Sequence, residues 1–317
     1  MGVERLTERQ VIGEFYKTLA VDTGASWIND VSNYFKSDQA YEEYAWLGQS
    51  PQMREWVGGR LAKKLTETSF TIRNKHYEST MEVLVKDLRR DKSGQVMLRI
   101  QEQARRANTH WATLLSNLII NGAATTCYDG QYFFDTDHSE GSSGTQSNSI
   151  SADISGYPVA THGTTTAPAV GEAQSAIVEG VNAILGFKDD QGEPMNEDAS
   201  SFTIMSGLGL SNALRQAIYT PVQVAESQTA LQAFKTSFSM KHVTNIRMNS
   251  MTTSFVIFRT DSNLKSFIRQ EEMGVQVAVV GKGSTHEIMN KSHLYAIDAW
   301  RNVGYGMWQN ACLVTFI

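Results

Sequence analysis

Two carboxylates and an imidazole stand within four residues at Asp135-Thr136-Asp137-His138, closing a run that begins Tyr128-Asp129-Gly130-Gln131-Tyr132-Phe133-Phe134. Oxygen and nitrogen donors this close could serve a hard cation or zinc. The spacing suits neither. Counted from Asp135, the sixth position of a calcium loop is Glu140 where Gly is needed, and the twelfth is Gln146 where Glu is needed. No second His stands four residues beyond His138. Asp and Thr side chains also bond the backbone N–H groups of their own turns. Asp135, Asp137 and His138 therefore read as residues that structure a loop, and no metal is expected there.

Other clusters resemble chemistry at first sight. Gly207-Leu208-Gly209-Leu210-Ser211-Asn212 follows an apolar run and opens a helical one, with Glu226 downstream, as in a dinucleotide fingerprint. Its third glycine is Asn212, and no βαβ unit surrounds it. Val280-Gly281-Lys282-Gly283-Ser284-Thr285 has the parts of a phosphate loop in the wrong order, and position 276 is Gln instead of Gly. It reads as a hairpin loop. No Gly-x-Ser-x-Gly elbow is present, and the seven His residues are scattered. A hydrolase using the Cys127/His138 region, with Asp137, is the enzymatic alternative. Catalytic partners usually converge from separate elements, so the chain is read as a non-enzyme without a cofactor.

Composition narrows the class. A chain of 317 residues with 41% hydrophobic and 19% charged residues is an ordered globular protein. It is long enough for two compact lobes. No apolar run approaches the length that spans a membrane, and the N-terminus lacks the apolar core of a signal peptide. Two cysteines, Cys127 and Cys312, make no disulfide framework and are expected to be buried thiols in a reducing compartment. The net charge of -5 argues against bulk binding of nucleic acid. Residues 52–110 carry 13 basic and 7 acidic side chains, a basic segment on an acidic body that suits contact between copies.

The elements that would carry these residues are of mixed order, so the fold class is α+β. Val11, Ile12, Phe15, Tyr16 and Leu19 predict a helix over 7–20, with Thr7 and Gln10 at capping-box spacing. Residues 1–40 read as an arm. Phe70 and Ile72, then Tyr77, Ser79, Met81, Val83 and Val85, predict a polar hairpin turning at Asn74-Lys75. Val96, Ile100, Ala104, Ala107, Trp111, Leu114, Leu115 and Leu118 predict a helix over 93–121, capped by Ser93 and stopped at Gly122. About 28 residues would span roughly 40 Å, long enough for a structural spine. Ser139 to Pro168 is rich in Ser, Thr and Gly and reads as a long loop or linker. Helices are predicted over 169–186 and from Ser211, which caps it, to Tyr219. Strands are predicted at 202–205, 254–260, 275–280, 293–300 and 311–317, with a short helix from Asn263 to Gln270.

Tyr44-Ala45-Trp46-Leu47-Gly48, Arg54-Glu55-Trp56-Val57-Gly58, Tyr128-Asp129-Gly130 and Phe133-Phe134-Asp135-Thr136-Asp137-His138, in this order, resemble the major head subunit of Mu-like phages and prophages. The resemblance is strongest over 44–138. The mixed-charge run Lys86-Asp87-Leu88-Arg89-Arg90-Asp91 departs from the acidic cluster expected after the hairpin. The resemblance implies a Hong Kong 97-type phage capsid fold. In that fold residues 1–44 are an N-terminal arm and 45–84 an extended β-hairpin loop. Residues 85–164 with 286–317 form a peripheral domain holding the spine helix, and 165–285 an axial domain. It implies a subunit that self-assembles, as hexamers and pentamers, into an icosahedral shell. Scaffold, portal and decoration proteins would be its partners, and packaged DNA would be met only non-specifically. The expected location is the virion capsid, assembled in the bacterial host cytoplasm. Arg54, Trp56, Arg60, Phe70 and Ile72 are the expected contacts between copies, because Trp and Arg most often anchor interfaces. A phage tail-tube protein is the other self-assembling alternative.

Overall fold

A computed structural model describes residues 8–21, 25–44, 70–90, 94–219 and 230–317. The helix α1 (Glu8–Val21) and the single turn α2 (Ile28–Val31) lead into strands β1 (Ser32–Lys36) and β2 (Tyr41–Tyr44). Next come β3 (Phe70–Arg73), β4 (Lys75–Leu84), α3 (Val85–Arg90) and the long α4 (Gln95–Ile120). The middle of the chain forms β5 (Ser149–Ala152), α5 (Val170–Leu185), β6 (Ser201–Ser206), α6 (Leu208–Tyr219), α7 (Ala230–Ser237), β7 (Ser239–Thr244) and β8 (Ser254–Arg259). It closes with β9 (Phe267–Val280), α8 (Thr285–Asn290), β10 (Ser292–Tyr305) and β11 (Ala311–Phe316).

The apolar stripe of α4 explains its place. Its 26 residues run about 39 Å. Ile100, Ala104 and Ala107 pack with Val11 and Phe15 of α1 and with Tyr295 and Ile297 of β10. One or two turns on, Ala112, Leu115 and Ile119 enter the main core. The helix thus joins two lobes. Gly94, with φ 71°, occupies the N-cap position expected for Ser93, and no side chain caps it there. Gly122 follows the last turn under the ring of Phe134, where a Cβ would lie 2.5 Å from Cδ2, so a side chain would displace that ring.

One lobe is a four-stranded sheet in the order β1-β9-β10-β4. The other is a five-stranded sheet, β5-β11-β8-β6-β7. β6, β8 and β11 are buried at nearly every position because both faces of their sheet are covered. α5 lies close on this sheet at Gly180, where an added Cβ would come within 2.6 Å of Ile257 and 2.9 Å of Val314.

Several expectations need correction. β3 and β4 do not form a hairpin. β3 pairs antiparallel with β2, and β4 pairs antiparallel with β10. The buried amide of Gln270 drives this division. It accepts from Tyr44 Oη at 2.9 Å and donates to Ile72 O at 3.2 Å and Asn74 Oδ1 at 2.9 Å, holding β2 and β3 to β9. The expected helix from Asn263 to Gln270 gives way to β9, which begins at Phe267 and is paired on both sides, to β1 and β10. α6 starts at Leu208, not Ser211, because Asn249 Oδ1 accepts the Leu208 N–H at 2.8 Å from across the fold. The Ser/Gly-rich segment is not a plain linker. It contains β5, paired parallel to β11, and Asn148, fully buried.

The described part of the expected arm packs on its own body. Val11 and Phe15 are buried, Trp27, Ile28 and Val31 enter the main core, and β1 joins the sheet of β9. The limits drawn at 164/165 and 285/286 also cut across the sheets. β9 belongs with α4 and β10, whereas β5 and β11 belong with β6 and β8.

Candidate functional site: a buried loop cluster and the exposed surfaces

The loop that leaves α4 turns back at Cys127-Tyr128-Asp129-Gly130, where Gly130 has φ +88°. Thr126 bridges to Tyr132 and His138 to Gln146, so two tight turns face each other. Between them His138 is fully buried and stacked on Trp308, with centroids 3.9 Å apart and planes at 7°. Its Nδ1 lies 2.6 Å from Asp129 Oδ2. Its Nε2 lies 3.2 Å from Asn148 Oδ1. The other oxygen of Asp129 accepts from Cys127 Sγ at 3.0 Å and from Gln131 N at 3.0 Å. Burial works against ionisation of Asp129, but the bonds from His138 and Cys127 outweigh it and hold the carboxyl below its usual range.

Beside this cluster Glu140 Oε1 accepts from Tyr128 Oη at 2.6 Å and from Trp308 Nε1 at 3.3 Å. Burial raises the Glu140 carboxyl, and burial with the neighbouring Glu140 charge raises the Tyr128 phenol well above its ordinary value. The Asp135 carboxylate accepts from Tyr132 N at 3.1 Å and Thr136 N at 2.8 Å. His138 is likewise bonded into the loop. Asp137 is exposed and outside this network. The residue that ties the loop most widely is Asn148, which donates to Phe133 O at 2.7 Å and Trp308 O at 3.4 Å and accepts from Asp135 N at 2.9 Å. Its sequence context, the polar run Gly144-Thr145-Gln146-Ser147-Asn148-Ser149, carries no signal of this role.

The geometry does not suit a cysteine nucleophile. Cys127 is 6% exposed, and burial followed by the Asp129 charge pushes its thiol far up. The thiol faces Asp129, not His138, and Asp137 stands apart. The other glycine clusters are also structural. A Cβ on Gly207 would lie 2.7 Å from Met248 O, so the glycine permits close packing of two backbones. In the 280–285 loop Ser284 caps α8 by accepting from Glu287 N, while Gly283 N donates to Glu287 Oε2 at 2.6 Å. The two thiols are free and buried, as expected. Among the described residues no helix is long and apolar enough to cross a membrane.

Of the expected contact residues, Arg54, Trp56 and Arg60 lie outside the described residues. Phe70 is half-buried, and Ile72 is 2% exposed. Ile72 packs in its own subunit with Tyr44, Ile268 and Met307 and against Gly304, where an added Cβ would fall 2.4 Å from its Cδ1. β2 and β3 nevertheless bring Tyr44 opposite Phe70.

The exposed apolar side chains collect elsewhere. At the far end of the four-stranded sheet, Leu84, Val280, Ile288 and Met289 are all exposed, the last at 77%. α8 carries two of them, and the register places Leu84 opposite Ser292 and Val280 opposite Leu294. On the other lobe Leu208, Tyr219 and Ile246 are exposed. β4 is an edge strand along its ten residues, exposed at most positions. A hollow of about 160 Å³ lies between β4, β10 and α4, beside Arg301, Tyr77 and His110.

A family model described as "Mu-like prophage major head subunit gpT" matches residues 8–162 and 225–315. The Mu-like prophage FluMu major head subunit of Haemophilus influenzae is 36% identical over 128 residues, 40% of this chain and 42% of that protein. The major capsid protein of Escherichia phage Mu is 31% identical over 118 residues, 37% of this chain and 39% of that protein. The alignments thus span about two fifths of these relatives. The subunit in the procapsid of bacteriophage JBD30 superposes with a TM-score of 0.53 at 23% identity, covering 98% of this chain and 76% of its own. The fold is that of Hong Kong 97-type phage capsid subunits.

Proposed function

Since the chain belongs to the Mu-like prophage major head subunit family, we propose that it is the major capsid protein of a phage or prophage head, a subunit that self-assembles into an icosahedral shell around DNA. One observation carries this reading: nearly the whole chain, both lobes and the α4 spine together, follows the capsid-subunit fold. A shell subunit needs many modest contacts in fixed relative positions, because closure multiplies them. α4 supplies the rigidity. The exposed apolar tip at Leu84, Val280, Ile288 and Met289 and the open edge of β4 supply surfaces of the kind that partners cover. The protein does no catalysis in this role.

The finer parts of the proposal follow from the same reading. The four-stranded lobe with α4 is the peripheral domain. The five-stranded lobe is the axial domain, clustering as hexamers and pentamers. Residues 45–69, between β2 and β3 in the chain, form the extended loop that lies on a neighbour. Arg54, Trp56 and Arg60 provide its anchors, with Phe70 at its base. The shell forms in the host cytoplasm with scaffold and portal proteins and accepts decoration proteins outside. The net charge of -5 fits a lining that meets DNA without binding it tightly.

Negative-stain microscopy of the purified, expressed protein tests the reading. Closed shells are expected. Open tubes would favour the tail-tube alternative, and monomers under all assembly conditions would contradict both. Trp56→Ala is expected to leave the monomer folded and to abolish shells. Shells formed normally by that variant would remove the anchoring role of the 45–69 segment.

A further inference from the structure

We propose that Cys127, Asp129 and His138 form a binding site for a zinc-class divalent cation, which staples the loop after α4 to the C-terminal core. This site differs from the one weighed in the sequence. Asp135 and Asp137 are not part of it, and two of its three donors come from the preceding turn.

The donor set comes first. One thiol sulfur, one carboxylate oxygen and one imidazole nitrogen lie within 4.8 Å of one another, all contributed by one short loop. Sulfur with nitrogen and oxygen is the mixture that zinc takes and that magnesium and calcium do not. All three groups are withdrawn from bulk water, with the His138 side chain at 0% and the Asp129 side chain at 4% exposure.

The second observation is independent of proximity and concerns Asn148. Its amide nitrogen donates to Phe133 O and Trp308 O, and its Oδ1 accepts from Asp135 N, so the orientation of the amide is fixed. Asn148 Oδ1 is therefore an acceptor toward His138, and the ring must present Nε2–H to it. Nδ1 then faces Asp129 Oδ2 from 2.6 Å, a contact that a proton on the ring or a bound cation can bridge. Two electron-rich atoms at that distance need a proton or a cation between them. A ligating His whose other nitrogen donates to a fixed oxygen is the usual arrangement around protein-bound zinc.

The exchange balances. The thiol proton of Cys127 and a proton on Nδ1 can hold the three groups together around the carboxylate. One divalent ion replaces both, giving a thiolate, a carboxylate, a neutral imidazole and the ion. Two protons leave for two positive charges gained, so the net charge of the buried cluster is unchanged. Bonds of about 2.0–2.3 Å around a tetrahedral ion would set the donors roughly 3.3–3.7 Å apart, so the 2.6 Å contact of Nδ1 with Asp129 Oδ2 must open while the donors, now within 4.8 Å of one another, gather on one Asp129 oxygen. Gly130, with φ +88° and nothing within 4 Å of where a Cβ would stand, lies in the turn that must make this adjustment. A water or the second Asp129 oxygen completes the coordination. The assembly reading neither requires this site nor follows from it.

The test uses the full-length protein, purified without chelator and assayed for bound metal. Zn²⁺ is then returned to chelator-treated protein while Tm is followed, and Co²⁺ is titrated while thiolate-to-cobalt absorption is recorded. Stoichiometric retained zinc, a Tm raised by Zn²⁺, and a cobalt–thiolate band in the wild type and in Cys312→Ser but not in Cys127→Ser are expected. Asn148→Ala is expected to weaken Zn²⁺ binding about 10–100-fold. Folded wild-type protein with no retained zinc and no cobalt–thiolate band would overturn the site. So would a band that survives Cys127→Ser.

Discussion

The two lobes solve the problem of burial differently. In the five-stranded lobe, β6, β8 and β11 are covered on both faces and share one continuous core with α5, α6 and the C-terminal half of α4. In the four-stranded lobe, β4 and the distal half of β9 alternate between exposed and half-buried positions, over a small cluster shared with α1 and α4. The first lobe closes its core within one chain, with Leu208, Tyr219 and Ile246 left exposed at its surface. The second leaves an open strand edge and an apolar tip. Stability is therefore concentrated in one lobe and the longer open edge in the other, a division suited to a subunit that must fold before it assembles.

The sharpest way to break this comparison is to cut into the main core. Phe133 is fully buried and stacked on Tyr305 at 4.7 Å, with Phe134 and Phe267 also in ring contact. Phe133→Ala is expected to cost about 3–5 kcal/mol, read as a large fall in Tm of the unassembled chain. A fall of only a degree or two would mean that this core is not the main store of stability.

A smaller effect is expected where the two-strand ribbon meets the body. Gly304→Val places side-chain atoms where Ile72 and Phe70 already lie within 3 Å of the ideal Cβ. Overpacking of this kind costs about 1–3 kcal/mol. Denaturant titration should show the loss, and proteolysis near residues 45–69 should become faster.

The pH response involves both lobes. Burial, with Arg301 close by, brings His110 down to about 4. Burial, with Arg215 close by, brings His242 down to about 4 as well. Both rings stay neutral in the fold while the unfolded chain takes up protons. Their contribution is thus complete above the ordinary histidine value of about 6.5 and is lost as pH falls from there toward 4. Thermal melts at stepped pH should show this decline, and His110→Gln with His242→Gln should flatten it.

The smallest effect on stability belongs to the tip. Ile288→Ser with Met289→Ser is expected to change monomer stability by no more than about 0.5 kcal/mol. The same double substitution should impair assembly, seen as loss of fast-sedimenting particles. A destabilised monomer would mean that the tip is part of the subunit's own core.

Much of this division was legible in the residues. The stripe from Val96 to Leu118 marked the spine, the runs at 202–205 and 254–260 marked strands, and the tract 128–138 marked a structured loop. What escaped depends on partners distant in sequence. Gln270 binds β2 and β3, so Asn74-Lys75 passes from one sheet to another where local alternation suggested a hairpin. Asn249 moves the start of α6. β5 and the buried Asn148 order a segment whose composition resembles a linker. Cys127 and Asp129 meet His138 only because two turns face each other, and no spacing rule joins residues 127, 129 and 138.

A cryo-electron microscopy map of particles assembled from the pure protein tests the central claim most directly. The account predicts a closed icosahedral shell in which Ile288, Met289 and the 45–69 segment of each copy are covered by neighbouring copies. A tube, or a shell in which both surfaces face solvent in every copy, would contradict it.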